Sequence, residues 1–122
     1  MAQRTLPPCP DSPNCVSTFA SSGDSRHHIA PYPYSRPRPD AKAVLKAVVG
    51  GLPRTKLVDE SDTYLHYEFT SLLLRFVDDV EFVFDDETKT IHFRSASRTG
   101  YGDFGVNRRR MEDIRSRIAG RL

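Results

Sequence analysis

The strongest constraint on the fold of this chain is a change in hydrophobic period at Gly50 and Gly51. Before these glycines, apolar residues recur three and four positions apart, which is typical of one face of a helix. They are Ala41, Val44, Leu45 and Val48. After the glycines, apolar and polar residues alternate, which is typical of half-buried strands. The sequence therefore predicts an α+β fold.

The alternation predicts an antiparallel sheet of about four strands. The strands are expected at residues 56–60, 64–71, 72–84 and 90–97, with a polar turn at Asp85, Asp86 and Glu87. A second amphipathic helix is predicted from about residue 108 to 121, with Met111, Ile114 and Ile118 on its apolar face. Two such helices on one sheet give a two-layer domain.

Residues 1–39 differ from the rest of the chain because they contain eight of its nine prolines. They are predicted to form an irregular, Pro-rich N-terminal arm, and residues 40–122 are predicted to form the α+β domain. Asp40 is the expected N-cap of the first helix, since Pro39 disfavours helix before it. At 122 residues the chain is expected to be a single domain overall.

Charge is distributed in two opposed blocks, although the formal net charge is only +2. Residues 59–87 contain ten acidic side chains and one basic side chain, whereas residues 94–122 contain eight arginines and three acidic residues. A basic block that faces an acidic block in the same chain argues against nucleic-acid binding.

The stretch RSASRTGYGDFGVNRRRME, residues 94–112, is the best candidate for a binding site. Glycines and a helix start can present backbone N–H groups to an anion, and arginine suits phosphate or carboxylate. This hypothesis assigns anion binding to Arg94, Arg98, Asn107, Arg108, Arg109 and Arg110, with Asn107 as the helix N-cap. The alternative is that the arginines are neutralised within the fold by Asp78, Asp79, Glu81 and Asp103.

Asp78 interrupts an apolar strand face, so it is expected to pair with an arginine of the terminal segment. An enzyme reading, hydrolase-like, would use Asp78 or His92 with arginine support. Ser95 and Ser97 have no nucleophile-elbow context. The sequence therefore predicts no catalytic residue with specificity.

Cys9 and Cys15 precede His27 and His28, but their spacing matches no common zinc module. No metal and no cofactor are predicted. A disulfide between the two cysteines is sterically feasible but unexpected in a reducing compartment, so free thiols are the default expectation.

No apolar run approaches the roughly 20 residues that a membrane-spanning helix needs. Residues 1–20 lack the apolar region of a secretory signal. The chain as it stands is expected to be soluble and cytoplasmic, or associated with the envelope if a preceding segment has been removed.

Three motifs, CPDSPNCVS, FVDDVEF and RSASRTGYGDFGVNRRRME, occur in this order and resemble the DUF1499 family, an uncharacterised bacterial and plastid group. The resemblance covers nearly the whole chain. It implies a signal, lipid attachment or membrane segment ahead of the domain in many relatives. It supplies no catalytic residues, because the family has no assigned activity.

The leading hypothesis is a small non-catalytic binding or interaction domain with an anion pocket at the arginine-rich turn. Its partner would be a small anionic ligand or a protein. The alternatives are the enzyme reading given above and a structural partner that docks through the N-terminal arm.

Overall fold

In the computed structural model of the chain, residues 5–100 and 102–122 are described. These residues form two helices and six strands. They are β1 (Cys15–Ser17), β2 (Tyr32–Pro33), α1 (Arg38–Gly50), β3 (Thr55–Ser61), β4 (Tyr64–Thr70), β5 (Val77–Asp85), β6 (Thr90–Ser97) and α2 (Val106–Ile118). The α+β class predicted from the change of period is confirmed.

The sheet has the order β1-β6-β5-β4-β3, with β2 also paired to β6, and all of these pairs are antiparallel. The expected number of about four strands is too low, because β1 and β2 lie in the Pro-rich segment that was predicted to be irregular. Strand β1 has three residues and β2 has two, which is too few to show alternation of apolar and polar residues. They are recognisable only through their partner strand, β6.

One face of the sheet carries both helices and the main core. The apolar positions of β4, β5 and β6 point to this face in the predicted alternation, and they pack against three buried residues from each helix. The buried apolar residues of the helices are Ala41, Leu45 and Val49 of α1 and Met111, Ile114 and Ile118 of α2. We call the opposite side of the sheet the outer face.

Residues 5–14, which we call the arm, cover part of the outer face. Leu6 is 6% exposed and packs against Tyr64 and Val83, which form a small second apolar cluster. Removal of this apolar surface from water stabilises the position of the arm on the sheet.

Three predicted boundaries are wrong. Helix α1 begins at Arg38 with Pro37 at its N-cap, so Asp40 lies in the first turn and caps nothing. Helix α2 has Gly105 at its N-cap, which makes Asn107 a helical residue. The predicted strand 72–84 begins only at Val77, and residues 71–76 form a loop.

The two ends of the sheet differ in their connections. We call one the loop end, where residues 51–54, 71–76 and 98–105 join α1 to β3, β4 to β5 and β6 to α2. We call the other the turn end, where residues 62–63 and 86–89 make short hairpin connections.

Candidate functional site

Residues from all three sequence motifs meet around Asn107 at the loop end, on the helix-bearing face of the sheet. Asn107 is fully buried, and its Oδ1 accepts hydrogen bonds from Ser95 Oγ at 2.6 Å and Arg110 Nη1 at 2.9 Å. Its Nδ2 lies 3.1 Å from Ser97 Oγ and 3.2 Å from the carbonyl oxygen of Asn14. Every polar atom of this buried amide has a partner, as burial requires.

Asp103 supplies the N-terminal cap that was assigned to Asn107. Its carboxylate accepts hydrogen bonds from the backbone N–H groups of Gly105 at 2.8 Å and Asn107 at 3.0 Å. These bonds hold the pKa of Asp103 below its ordinary value against the opposing effect of burial. Gly105 has φ +77°, and a Cβ there would lie 3.0 Å from Arg109 Nη1, so glycine suits the turn. The carboxylate also offsets the positive charge at the helix start.

Asp78 and Arg110 form an ion pair between β5 and α2. Arg110 Nη2 donates to Asp78 Oδ2 at 2.7 Å, and the two side chains are only 14% and 12% exposed. The guanidinium also lies over the ring of Phe69, with its Cζ 4.7 Å from the ring centroid. The buried carboxylate therefore has an arginine partner, and this arginine is not available to bind an external anion.

Arg98 lies on the outer face and joins a second charged group. It donates to Asp79 Oδ2 at 2.7 Å and to Glu68 Oε2 at 2.6 Å, while His66 Nε2 lies 2.8 Å from Asp79 Oδ1. The hydrogen bond from Arg98 is the main cause that lowers the pKa of Asp79. This group is separated from Asp78 and Arg110 by the sheet itself.

Arg94 is also on the outer face, directly across from Glu81 in the β5–β6 register. Its Nη2 donates to the carbonyl oxygen of Pro8 in the arm at 3.3 Å, and its buried Nε has no hydrogen-bond partner among the described residues. Glu81 instead accepts from the hydroxyl of Tyr64 at 2.5 Å. Among the six predicted anion ligands, Arg94 is thus the one with a buried, unused donor.

Arg108 and Arg109 bind backbone carbonyl groups. Arg108 Nη2 donates to the carbonyl oxygen of His28 at 2.9 Å, and Arg109 Nη1 donates to that of Phe104 at 2.6 Å. The six predicted ligands therefore lie in separate surroundings on both faces of the sheet and do not share one pocket. Tyr101, within the same turn, lies outside the described residues.

Anion binding by these residues stays a prediction, and Arg94 is the one whose guanidinium has a buried donor without a partner among the described residues. Its test is the thermal stabilisation of the wild-type chain by phosphate. We expect Arg94→Ala to abolish that stabilisation and Arg98→Ala to leave it, because Arg98 already has two carboxylate partners.

The two residues of the enzyme hypothesis lie on opposite faces of the sheet. Asp78 points to the helix-bearing face and pairs with Arg110, whereas His92 lies on the outer face. His92 Nδ1 lies 2.9 Å from Thr18 Oγ1, which also accepts from the backbone N–H of Phe93. The donor in the Thr18–His92 hydrogen bond depends on the tautomer of the ring, and burial lowers the pKa of that imidazole. Asp78 and His92 therefore do not share a site, and an enzymatic role for either stays a hypothesis.

The N-terminal cysteines form a disulfide between Cys9 and Cys15, so the default expectation of free thiols is wrong for this structure. His27 is buried, with Nδ1 2.7 Å from Asp24 Oδ2 and Nε2 2.9 Å from the carbonyl oxygen of Ser12. Its ring nitrogens are therefore occupied by oxygen acceptors. No cluster of three or more metal-ligating side chains occurs in the described residues, and none of their helices is long and apolar enough to cross a membrane.

Exposed apolar side chains are concentrated at the loop end, and this feature escaped the sequence analysis. Of the eight large apolar side chains exposed in residues 5–100 and 102–122, six lie at positions 72–76 or 104–106. They are Leu72, Leu73, Leu74, Phe76, Phe104 and Val106. Three consecutive leucines do not fit the alternation of the neighbouring strands, and this break in pattern was the available signal.

A shallow cleft of about 340 Å³ adjoins this surface, lined in part by Pro13, Phe104 and Arg108. Phe104 is 96% exposed and has φ +55°, an uncommon conformation for a residue with a side chain. Its carbonyl is held by Arg109, as described above. The backbone of the turn thus holds an aromatic side chain in solvent.

Comparison with known proteins identifies a family but no activity. The family model described as "Protein of unknown function (DUF1499)" matches residues 5–118. No curated protein and no solved structure matches the chain. Because the family match covers nearly the whole sequence, including the three motifs that meet around Asn107, this chain belongs to the DUF1499 family.

Proposed function

We propose that this chain is a non-catalytic docking domain that contacts its partner through the apolar surface at the loop end. The observation that carries the proposal is the exposure of the 72–76 loop, where Leu73 is 86% exposed and Leu74 is 71% exposed. Contiguous exposed apolar surface is uncommon on monomeric proteins and marks interaction sites.

A partner that removes these apolar side chains from water would gain free energy of burial. Complete burial of one leucine is worth about 1.5–3 kcal/mol. Leu72, Leu73, Leu74 and Phe76 together therefore offer several kcal/mol to an association, which must first offset the lost freedom of the partners. The same residues contribute little to the fold, because they are largely solvated in it.

The loop is anchored where it leaves the sheet. The backbone N–H of Ser71 donates to the carbonyl oxygen of Phe76 at 2.8 Å, and the N–H of Phe76 donates to Ser71 Oγ at 2.8 Å. The N–H of Thr70 donates to the carbonyl oxygen of Arg54 at 3.0 Å. These bonds limit the freedom of the loop and so reduce the entropy cost of docking.

Beneath the loops, the buried groups around Asn107 and Asp78 support a role in positioning. Each hydrogen-bonding group there is already occupied within the chain, which favours a rigid support over a reactive centre. This support links β5, β6 and α2, the elements that flank both apolar loops.

The test is site-specific photo-crosslinking of the full chain in cells. A photoreactive amino acid at Leu73 is expected to give adducts, which mass spectrometry then assigns to protein or lipid. The matched control places the same amino acid at Val58, which is exposed to 38% but lies on the edge strand β3. Equal adduct yields at the two positions would contradict the proposal.

A further inference from the structure

We propose that the loop end docks on the surface of an anionic lipid bilayer, with Leu72, Leu73 and Leu74 inserted among the lipids. This inference rests on the proposed docking function and names the partner. It is carried by the shape of the apolar loop and by the distribution of charge between the two ends of the sheet.

The shape of the loop favours lipid over a protein groove. Leu72, Leu73 and Leu74 are 63%, 86% and 71% exposed at consecutive positions, so one short loop presents three apolar side chains to the solvent. A protein partner would have to surround the loop to cover all three. A bilayer surrounds an inserted loop without any such requirement, and leucine and phenylalanine are typical of segments that enter its interface.

Basic residues flank the leucines without acidic partners. Arg75 lies within the loop, and Arg54 lies at its base, where Nε donates to the carbonyl oxygen of Thr70 at 3.0 Å. Both side chains are exposed, and neither forms an ion pair with another described residue. Arginines next to inserted apolar residues attract anionic headgroups.

The carboxylates of the loop end do not oppose this attraction. Asp78 is paired with Arg110, and Asp79 and Glu68 are paired with Arg98. Asp103 forms no ion pair with a described residue, but its carboxylate accepts from backbone N–H groups at the positive start of α2. The turn end is the reverse, with four carboxylates that form no ion pair with a described residue: Asp59, Asp62, Asp85 and Glu87. An anionic surface therefore attracts the loop end and repels the turn end, which orients the domain on approach.

The experiment is flotation of the purified full chain with vesicles of phosphatidylcholine alone or with about 30 mol% phosphatidylserine, a lipid of the anionic class. We expect binding to the anionic vesicles that weakens as salt is added. The double variant Leu73→Ser, Leu74→Ser is expected to lose about tenfold or more in binding, because its apolar insertion is removed.

The test of charge has a control at the opposite end of the sheet, Lys89, which lies 3.9 Å from Asp86. Arg75→Gln is expected to reduce binding to anionic vesicles severalfold. Lys89→Gln is expected to leave it unchanged, because Lys89 is an exposed basic residue with a similar left-handed backbone (φ 54° against 59°) in the turn at the opposite end. Urea unfolding of each variant verifies that the fold is retained, which the exposure of these side chains predicts.

Absence of binding to anionic vesicles, or equal binding by the double leucine variant, would overturn the bilayer proposal. If photo-crosslinking at Leu73 then captures one specific protein, or if a dimer forms that the double variant abolishes, the docking function stands with a different partner. If crosslinking at Leu73 also fails, both proposals are overturned.

Discussion

The loop end and the turn end of the sheet differ in which apolar and charged side chains they expose to the solvent. At the turn end, short hairpins expose acidic side chains, and two of them are held by basic groups of α1: Asp86 by Arg38, and Glu60 by Lys42 and Lys46. At the loop end, the carboxylates are used inside the fold, and exposed leucines and arginines face the solvent.

The difference suggests that the buried residues of the fold provide stability, whereas the exposed surface of the loop end provides recognition. The turn end uses polar residues that keep hairpins soluble and separate, as edges and turns usually do. At the loop end, a buried network of hydrogen bonds and an ion pair lies directly below the exposed apolar side chains. This network supports the apolar surface. Variants at the two ends should therefore affect different properties.

The largest effect is expected from breaking the buried ion pair below the loop end. Arg110→Met leaves Asp78 charged and without its partner, so the free energy of unfolding should fall by about 3 kcal/mol, at the lower end for broken buried pairs. Urea denaturation measures the loss. Arg117→Met is the control, because Arg117 pairs with Asp113 in solvent and such pairs are worth about 0.3–0.5 kcal/mol. Equal losses in the two variants would refute a special role for the Asp78 pair.

The next effect concerns the arm that covers the outer face. Cys9→Ser removes the disulfide while the buried Cys15 stays in place, and a short closed loop of this kind contributes about 2 kcal/mol. Faster proteolysis of the arm should accompany the loss, because Leu6 leaves Tyr64 and Val83 more readily. A reductant should destabilise the wild-type chain and have no effect on Cys9→Ser. An effect on both would point away from this bond.

A smaller, pH-dependent effect is expected at the contact between Asp24 and His27. The hydrogen bond with Asp24 is the main cause that raises the pKa of His27, and the carbonyl of Ser12 acts in the same direction. The stabilisation is therefore fully present below the ordinary histidine pKa of about 6.5 and is lost as the pH rises through the raised value. The hydrogen bond from His27 lowers the pKa of Asp24. The stabilisation that comes from the ionised Asp24 is therefore lost as the pH falls through this lowered pKa.

Unfolding in urea at several pH values tests this contact. The wild-type chain should lose stability above neutral pH relative to His27→Gln, which cannot titrate. His28→Gln is the adjacent control, since Nδ1 of His28 lies 3.1 Å from the carbonyl oxygen of Ala20 rather than beside a carboxylate. Parallel pH profiles for the wild type and His27→Gln would contradict the assignment.

The smallest effect is expected at the turn end. Asp86 accepts from the hydroxyl of Tyr34 at 2.5 Å, and this bond is the main cause that lowers the pKa of Asp86. Asp86→Asn should cost less than about 1 kcal/mol, because the surrounding ion pairs are solvated. The stabilisation is present above the ordinary aspartate pKa and is lost as the pH falls through the lowered value. Asp62→Asn, at the same end, should leave the free energy of unfolding unchanged. A larger loss of stability in Asp62→Asn than in Asp86→Asn would contradict the assignment.

The fold class and the inward-facing residues were readable from the sequence because they depend on local periodicity. The alternating apolar positions of β4, β5 and β6 lie in the core, as Leu65, Phe82 and Phe93 show. The strand count was too low because β1 and β2 owe their existence to pairing with β6.

The candidate site was less predictable because its contacts are long-range. The arginines of residues 94–110 are close in sequence, but strand alternation and the turn into α2 send them to different partners. Charge composition alone could not reveal that the Asp103 carboxylate accepts from backbone N–H groups at the start of α2, or that Asp78 pairs with Arg110. It also could not reveal that residues 71–76 leave the strand and expose their leucines.

The sequence by itself determined the α+β class, the two amphipathic helices and the membership in the DUF1499 family, because periodicity and motifs are local properties of the chain. Only the tertiary structure decided which charges neutralise each other and which apolar side chains remain in solvent. Both outcomes depend on distances between residues far apart in sequence, and electrostatic and apolar contacts act only at short range.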